Sequence, residues 1–531
     1  MDETPVRWAR ADGGMVATAF PRATEAGVRI LSKNGNAADA AVAAALALGV
    51  CEPQASGLGG QTMMVIGNEK KIRAIDGSSR APSLAHIAAI QPSDRGTGYR
   101  ATTVPSTPAT LWYVQQRYGE LPWKDVIAPA IEIAEGGYEL TELQCGLQKR
   151  ELDNFLKVDS RSGANYFLRG GEPWNPGDLF QQPDLAKTLK QLSEKGIKEF
   201  YTGTMARRID GDMRENGGLL RIDDLALIPW PIERRPVRGT FRGRTVYSMP
   251  PPGAGRTLVL ALNMLDAMKT EFPAGNRLER FRVLAEVFRE AQLERSDRPF
   301  DPNFYPQVEQ KKMLGRKFAR RQVRRILKGV DAALLPVMTT EDELRGETTH
   351  LSVIDRNGMA VSLTQSIERV YGSKAAAAGL GFLYNNYIMD YEFSKIDHPF
   401  YLRPNAVPWA TVAPSIITEN DRIWMAVGSP GSERIFSSIA QFLIHILDEG
   451  MNLEESMKAP RIHCSLGGKI SMEHERFPAD LAPYLESHGY RVDKLDPFAF
   501  YLGAIHAVTR DADGRFTGVA EIRRDGTTGG V

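Results

Sequence analysis

The sequence predicts an α/β protein, and three observations carry that reading. The run Ala37 to Leu48 is rich in alanine, and such small side chains let a helix lie flat on a sheet. The tract from Pro108 to about Gly218 has helical patterning. From Thr349 to Ser366 two β-rich runs flank Asn357-Gly358, the strongest short-range hairpin signal. A chain of 531 residues holds about two to four average domains or one large α/β unit.

Taken in order, Thr24 to Lys33 reads as a helix with Thr24 as N-cap and Asn34-Gly35 as its stop, followed by the helix Ala37 to Leu48. Gly57-Leu58-Gly59-Gly60 leads into the apolar strand Thr62 to Ile66 and not into a helix, so it lacks the context of a dinucleotide site. Helices are expected over Ala109 to Tyr118, Trp123 to Glu135, Leu140 to Asn154 and Leu185 to Lys195. Strand Thr245 to Met249 runs into Pro250-Pro251-Pro252-Gly253-Ala254-Gly255, then a helix from Thr257. The triple proline fixes an extended-then-turned backbone and is read as structural. Lys311 to Lys328 fits one basic helix with an apolar face; because the whole chain is near neutral, its charges read as a solvated face and not as a nucleic-acid or membrane surface. After the hairpin come Asn385-Asn386, Met389-Asp390 and an irregular aromatic stretch to Trp409. Strands Ser415 to Thr418 and Ile423 to Val427 pair across Glu419-Asn420-Asp421, and Gly428 to Arg434 leads into an apolar helix, Ile435 to Leu447.

Hydrophobic content of 42% and charged content of 25% are those of an ordinary soluble globular protein. A net charge of +1 gives no global attraction to nucleic acid, membrane or acidic substrates. Cys51, Cys145 and Cys464 are odd in number and far apart, which argues against a disulfide framework and a zinc site, and the eight histidines are scattered. No stretch reaches the roughly 18 apolar residues of a transmembrane helix, and the start has no basic region followed by an apolar run. A cytoplasmic location is the expectation for the chain as given, a periplasmic one only if a leader was removed.

Three pieces of the last third fit one reaction. Thr348 follows a polar segment, Thr339 to Glu347, and opens the hairpin. If the bond before it were cut, its α-amino group would lie within reach of its own hydroxyl and act as base, the N-terminal threonine form of nucleophilic catalysis. The loop Gly428 to Ser432 ahead of a helix can aim backbone N–H groups at developing negative charge, and one such donor contributes about 3 kcal/mol to lowering a barrier. Thr364 and Ser366 on the returning strand can hold the nucleophile's rotamer. Each piece alone also reads as ordinary structure: a β-branched strand start, a strand-to-helix turn, a strand serine.

Together with the order of their neighbours, these residues resemble the γ-glutamyltranspeptidase (glutathione hydrolase) family over nearly the full chain. The likeness rests on Gly14-Met15-Val16-Ala17, Gly35-Asn36-Ala37-Ala38-Asp39-Ala40-Ala41, Gly57-Leu58-Gly59-Gly60, Met249-Pro250-Pro251-Pro252, Thr348-Thr349-His350, Asn385-Asn386 and Gly428-Ser429-Pro430-Gly431, in the family's order with similar spacing. The resemblance implies an N-terminal-nucleophile hydrolase, a four-layer αββα sandwich, made as a precursor that cuts itself between Glu347 and Thr348. It implies a large subunit, 1–347, and a small one, 348–531, intertwined as a heterodimer, with a higher assembly left open. The implied partners are a small-molecule amide substrate and an amine acceptor or water; no cofactor, metal, nucleic acid or membrane is implied.

Carried over by position, Thr348 is the nucleophile and Ser366 replaces the threonine that hydrogen-bonds it. Gly431 and Ser432 stand at the oxyanion pair, usually two glycines, and Asp390 matches the acid that grips an α-ammonium. The surrounding shell departs from the family. Ser78 stands where an arginine holds the α-carboxylate, with Arg80 two residues on as a substitute on the same face of an extended strand. Ala410 and Thr411 replace a serine pair, Glu368 an asparagine and Tyr387 a Gln/Glu position. Unpaired polar substrate groups cost a few kcal/mol when buried, enough to change which acyl group is taken. The expected chemistry is γ-glutamyl hydrolysis or transfer. The alternatives are a non-γ-glutamyl acyl group, glutaryl or β-lactam side-chain in type, and a catalytically inactive binding homologue. The segment from Asp390 to Ala410 is shorter than in lidded relatives, which implies an open site.

Overall fold

The computed structural model describes residues 5–268, 276–297, 313–328 and 346–531. The polar segment before the hairpin lies outside them as far as residue 345, as do Lys311 and Lys312.

Two seven-stranded sheets face each other. One runs Trp8–Ala11, Phe516–Ala520, His506–Arg510, Arg422–Gly428, Ser415–Glu419, Arg244–Ser248, Val237–Phe241. The other runs Thr527–Gly530, Gly14–Thr18, Glu347–Asp355, Ala360–Glu368, Gln61–Asn68, Lys71–Gly77, Ile232–Arg234. Alternation along the strands divides their side chains between two cores. Val16, Met64, Leu351 and Val353 face helices Pro21–Ser32, Ala37–Cys51 and Trp123–Gly136, while Met15, Ala17, Val65 and Ile354 meet Ile416, Ala426 and Val508 of the opposing sheet. On the far side, Val246, Ile417, Met425 and Val427 pack with helices Gly255–Ala267, Arg277–Asp297 and Ile435–Leu447. The layers are therefore αββα.

The space between the sheets is also stitched by buried hydroxyls. Ser352 Oγ donates to the His506 carbonyl (3.0 Å), Ser362 Oγ donates to the Val427 carbonyl (2.9 Å) and accepts from Ser415 N–H (2.8 Å). These bonds satisfy groups that would otherwise be desolvated at a cost, and they lock the hairpin's position against the second sheet.

Helix Ala37–Cys51 is buried along almost its whole length and starts from a capping box. Asn36 Oδ1 accepts from Ala38 and Asp39 N–H (3.0 and 3.1 Å), and Asp39 Oδ2 accepts from Asn36 N–H (3.2 Å). The first helix begins earlier than the sequence suggested, at Pro21 with Phe20 as cap. Thr24 lies inside it and shares hydrogen bonds with Thr18 Oγ1 (2.8 Å) and the Thr527 carbonyl (3.0 Å), because a proline at the first turn already suits a helix start. Leu140 is likewise outside its helix, which starts at Glu142 under a Thr141 cap. The helix after the triple proline starts at Gly255, two residues before Thr257. The Pro250–Gly255 turn is structural: Ala410 N–H donates to the Pro252 carbonyl (3.3 Å) and Ala254 N–H to the Val412 carbonyl (2.8 Å). The basic helix spans Arg316–Leu327 and buries Ala319, Val323 and Ile326 against neighbouring helices. Among the described residues no helix is long and apolar enough to cross a membrane.

Gly60 needs its missing side chain. A Cβ there would lie 2.3 Å from the Ser366 carbonyl oxygen, so the glycine turn lets the chain press against the end of the hairpin. We predict that Gly60→Ala destabilises the protein by about 2 kcal/mol or more, read as a lower urea midpoint; an unchanged midpoint would contradict the close approach.

Candidate active site

The hairpin pairs Glu347 with Glu368 and Thr349 with Gln365, and the register slips between them. Two residues of the returning strand, Ser366 and Ile367, oppose the single Thr348, so the bulge lies on that strand and Thr348 has no register partner of its own. Its Oγ1 donates to Ser366 Oγ (3.3 Å). Ser366 Oγ donates to the Glu347 carbonyl (2.7 Å) and accepts from Glu368 N–H (2.8 Å). The hydroxyl of Thr348 and the carbonyl before it thus share one hydrogen-bonding partner. All three residues are buried or nearly so.

Ser432, the residue after Gly431, lies against the chain just before this bond. A Cβ on Gly346 would be 2.5 Å from Ser432 Cβ, which places that loop on the chain just ahead of Glu347. Gly431 has φ +121° and its Cβ position is closed by Gly503 Cα at 2.9 Å, so only glycine fits. Ser432 keeps the left-handed backbone (φ +52°) that a second glycine would adopt freely. The loop is fixed by Ser429 Oγ, which accepts from Ala504 N–H (2.8 Å) and donates to the Pro430 carbonyl (2.7 Å). Among the described residues neither the Gly431 nor the Ser432 N–H donates to another group of the chain. Helix Ile435–Leu447 follows a short 3₁₀ turn, Ser432–Arg434.

Beside this lies a cleft of about 720 Å³ whose walls include Glu368, Asp390, Thr411, Ser432, Arg95 and Trp409. Glu368 is held at φ +81°, a costly backbone for a side chain other than glycine, and its carboxyl hydrogen-bonds with Asp390. Burial pushes the Glu368 carboxyl up to about 7, against the opposing pull of Arg369, Asp390 and Arg434. Tyr387 is buried next to Glu368, and burial first, that carboxyl second, hold its phenol well above the ordinary range, against a hydrogen bond with Ser366. The aromatic stretch to Trp409 folds over as part of the cleft wall, with Phe400 and Trp409 ring centroids 4.9 Å apart.

Neither Ser78 nor Arg80 is among the residues that line this cleft, and neither are Thr348, Ser366, Gly431 and Tyr387; of these, Ser366 and Gly431 are close in sequence to the wall residues Glu368 and Ser432. The Ser78 hydroxyl donates to Asp76, which is also paired with Arg234, and Arg80 forms an isolated bridge with Val104. His350 packs as expected of a strand histidine, its ring nitrogens against Thr364 Oγ1 (2.9 Å) and Ser352 Oγ (3.1 Å). Burial, then His506, hold it well below its ordinary value, so the ring is neutral. Among the described residues no group of three or more His, Cys, Asp or Glu is placed to hold a metal.

Three groups at the site were not anticipated. Arg524 reaches the Glu347 carboxylate and donates to the Thr348 carbonyl (3.3 Å), with its guanidinium 4.1 Å from the Phe500 ring centroid. Glu52 lies in the same buried cluster, where burial pushes its carboxyl up to about 8 against the pull of Arg524. No spacing in the sequence relates residues 52, 500 or 524 to 347; only the sheet topology does.

The sequence profile described as Gamma-glutamyltranspeptidase matches residues 23–531. The chain belongs to the γ-glutamyltranspeptidase family. It is 31% identical to the glutathione hydrolase proenzyme of Escherichia coli K12, over 97% of this chain and 91% of the relative. It is also 31% identical to the Acylase ACY 1 proenzyme of Pseudomonas sp. strain V22, over 97% of this chain and 93% of the relative. Among solved structures, a cephalosporin acylase from Bacillus halodurans superposes with a TM-score of 0.87 at 26% identity, covering 100% of this chain and 98% of that one. This family member is thus an amide hydrolase or transferase of the N-terminal-nucleophile kind, with the corresponding four-layer fold.

The raised Glu368 carboxyl has a consequence for stability. A carboxyl that keeps its proton longer in the fold than in the unfolded chain stabilises fully below the ordinary carboxylate range, and that contribution is lost as pH rises through about 7. The urea midpoint should therefore fall between pH 5 and 8, and Glu368→Gln should flatten that fall; identical pH profiles for the two proteins would contradict it.

Proposed function

We propose that the chain cuts itself between Glu347 and Thr348 and then uses Thr348 as an acyl-accepting nucleophile. The observation that carries this is one hydroxyl: Thr348 Oγ and the Glu347 carbonyl meet at Ser366 Oγ, opposite the register slip, with the turn that holds Ser432 against the chain just ahead.

In the first reaction Thr348 Oγ bonds to the Glu347 carbonyl carbon, the C–N bond breaks, and the hydroxyl proton passes to the nitrogen. An ester links Glu347 to Thr348. Water cleaves that ester, leaving a Glu347 carboxylate, a free hydroxyl and a free α-amine. The fragments 1–347 and 348–531 stay together because strand Glu347–Asp355 lies between Gly14–Thr18 and Ala360–Glu368, and both sheets draw strands from both fragments. During turnover the amine takes the proton from Oγ as the substrate amide is attacked and gives it to the departing amine. The Gly431 and Ser432 N–H groups hold the oxyanion. Water or a second amine then resolves the ester on Thr348.

For the acyl group, two readings are supported by different features. A γ-glutamyl group is favoured by Asp390 on the cleft wall and by the glutathione hydrolases among the relatives. A non-γ-glutamyl group is favoured by Ser78 and Arg80 lying outside the cleft wall and by the acylases among the relatives and structural neighbours. Matched p-nitroanilides separate them: a γ-glutamyl enzyme hydrolyses γ-glutamyl-p-nitroanilide much faster than the glutaryl analogue.

Purified protein is expected to resolve from one 58.7 kDa chain into two on a denaturing gel. Thr348→Ala should remain a single chain with no turnover, and Ser366→Ala should slow cleavage about 10- to 100-fold. Self-processing by Thr348→Ala would refute the assignment.

A further inference from the structure

We propose that Arg524 is the positioning residue of self-cleavage, and that it works by holding the chain on both sides of the bond to be broken. This rests on the self-cleavage reading above. One guanidinium nitrogen of Arg524 reaches the Glu347 side-chain carboxylate and the Thr348 backbone carbonyl (3.3 Å), so a single rigid group spans the Glu347–Thr348 peptide. The Glu347 carbonyl is held separately by Ser366 (2.7 Å). The peptide unit is therefore fixed at its own oxygen, at the side chain before it and at the carbonyl after it.

That grip matters because Thr348 stands opposite a β-bulge and has no register partner in the hairpin. The ladder is locally disrupted there, and attack on the preceding carbonyl requires the hydroxyl to stay aligned with it. Something outside the hairpin must hold the alignment, and Arg524 is built to do so. It is 4% exposed and lies against the Phe500 ring. The segment that carries it is anchored by further buried pairs: Arg523 with Glu473 (2.6 Å) and Glu521 (2.9 Å), and Arg461 with Glu521 (2.7 Å). A buried ion pair is weak as a source of stability, since desolvation offsets its attraction. Its place across the bond to be cut points to geometry as its role.

Glu347 is then more than the residue that happens to precede the nucleophile: its side-chain acceptor is the handle by which the precursor is held. The test follows conversion of the full-length precursor to its two fragments by intact mass. Glu347→Leu, similar in size but without an acceptor, and Arg524→Gln should each slow cleavage about tenfold or more. Glu347→Gln, which keeps an acceptor oxygen, should slow it less than Glu347→Leu. The double variant Glu347→Leu/Arg524→Gln should be no slower than the slower single, because both remove one interaction. Hydroxylamine distinguishes the step: if alignment for attack is lost, it does not restore the rate, since no ester accumulates. A purely structural role would lower the melting temperature of Arg524→Gln without this non-additivity. If Arg524→Gln does not fold, the Leu and Gln variants at 347 still decide the matter. Wild-type cleavage rates in the single variants, or slowing in the double that equals the product of the singles, would overturn the proposal while leaving self-cleavage intact. Cleavage by Thr348→Ala would instead overturn the reading on which it rests.

Discussion

One irregularity in a β-ladder positions the candidate nucleophile of this protein. The hairpin Glu347–Asp355 and Ala360–Glu368 is regular from Thr349 onward and slips by one residue just before it. The extra residue belongs to the returning strand, so Ser366 and Ile367 face Thr348 together, and its hydroxyl meets Ser366 and through it the Glu347 carbonyl.

The surrounding structure holds that irregularity in place. Behind the hairpin the alanine-rich helix packs flat, and the Gly57–Gly60 turn comes so close to Ser366 that no side chain fits at Gly60. In front, the second sheet is stitched through Ser352, Ser362 and His506, which fixes the depth at which the hairpin sits. At the start of the hairpin Ser432 meets Gly346 and Arg524 reaches Glu347, both from the C-terminal part of the sequence. Regular elements supply rigidity, and three of the positions with left-handed backbone, Glu368, Gly431 and Ser432, lie in or next to the cleft wall.

What the sequence revealed follows from how local each signal is. The hairpin, the strands from Ser415 to Val427 and the helix Ile435–Leu447 depend on period and turn residues, and each was read within a residue or two. The helix start at Pro21 was misplaced because Thr24 is a good cap by type but is engaged with Thr18 and Thr527, partners that no window around it contains. Thr348, Ser366 and Asp390 are legible as candidates through ordered motifs. Arg524, Phe500 and Glu52 are not, because their link to the hairpin exists only through sheet order. Arg80 is the converse case: strand geometry allows it to replace a missing arginine, and its backbone bridges to Val104 while Arg95, which no motif pointed to, lines the cleft.

The account stands or falls on the atom that carries the acyl group. Cleaved enzyme mixed with an amide substrate, quenched in acid and digested should yield the peptide beginning at Thr348 with the mass of one acyl group added as an alkali-labile ester. Acyl mass on any other peptide, or turnover with that peptide never modified even when hydrolysis is slowed, would contradict it.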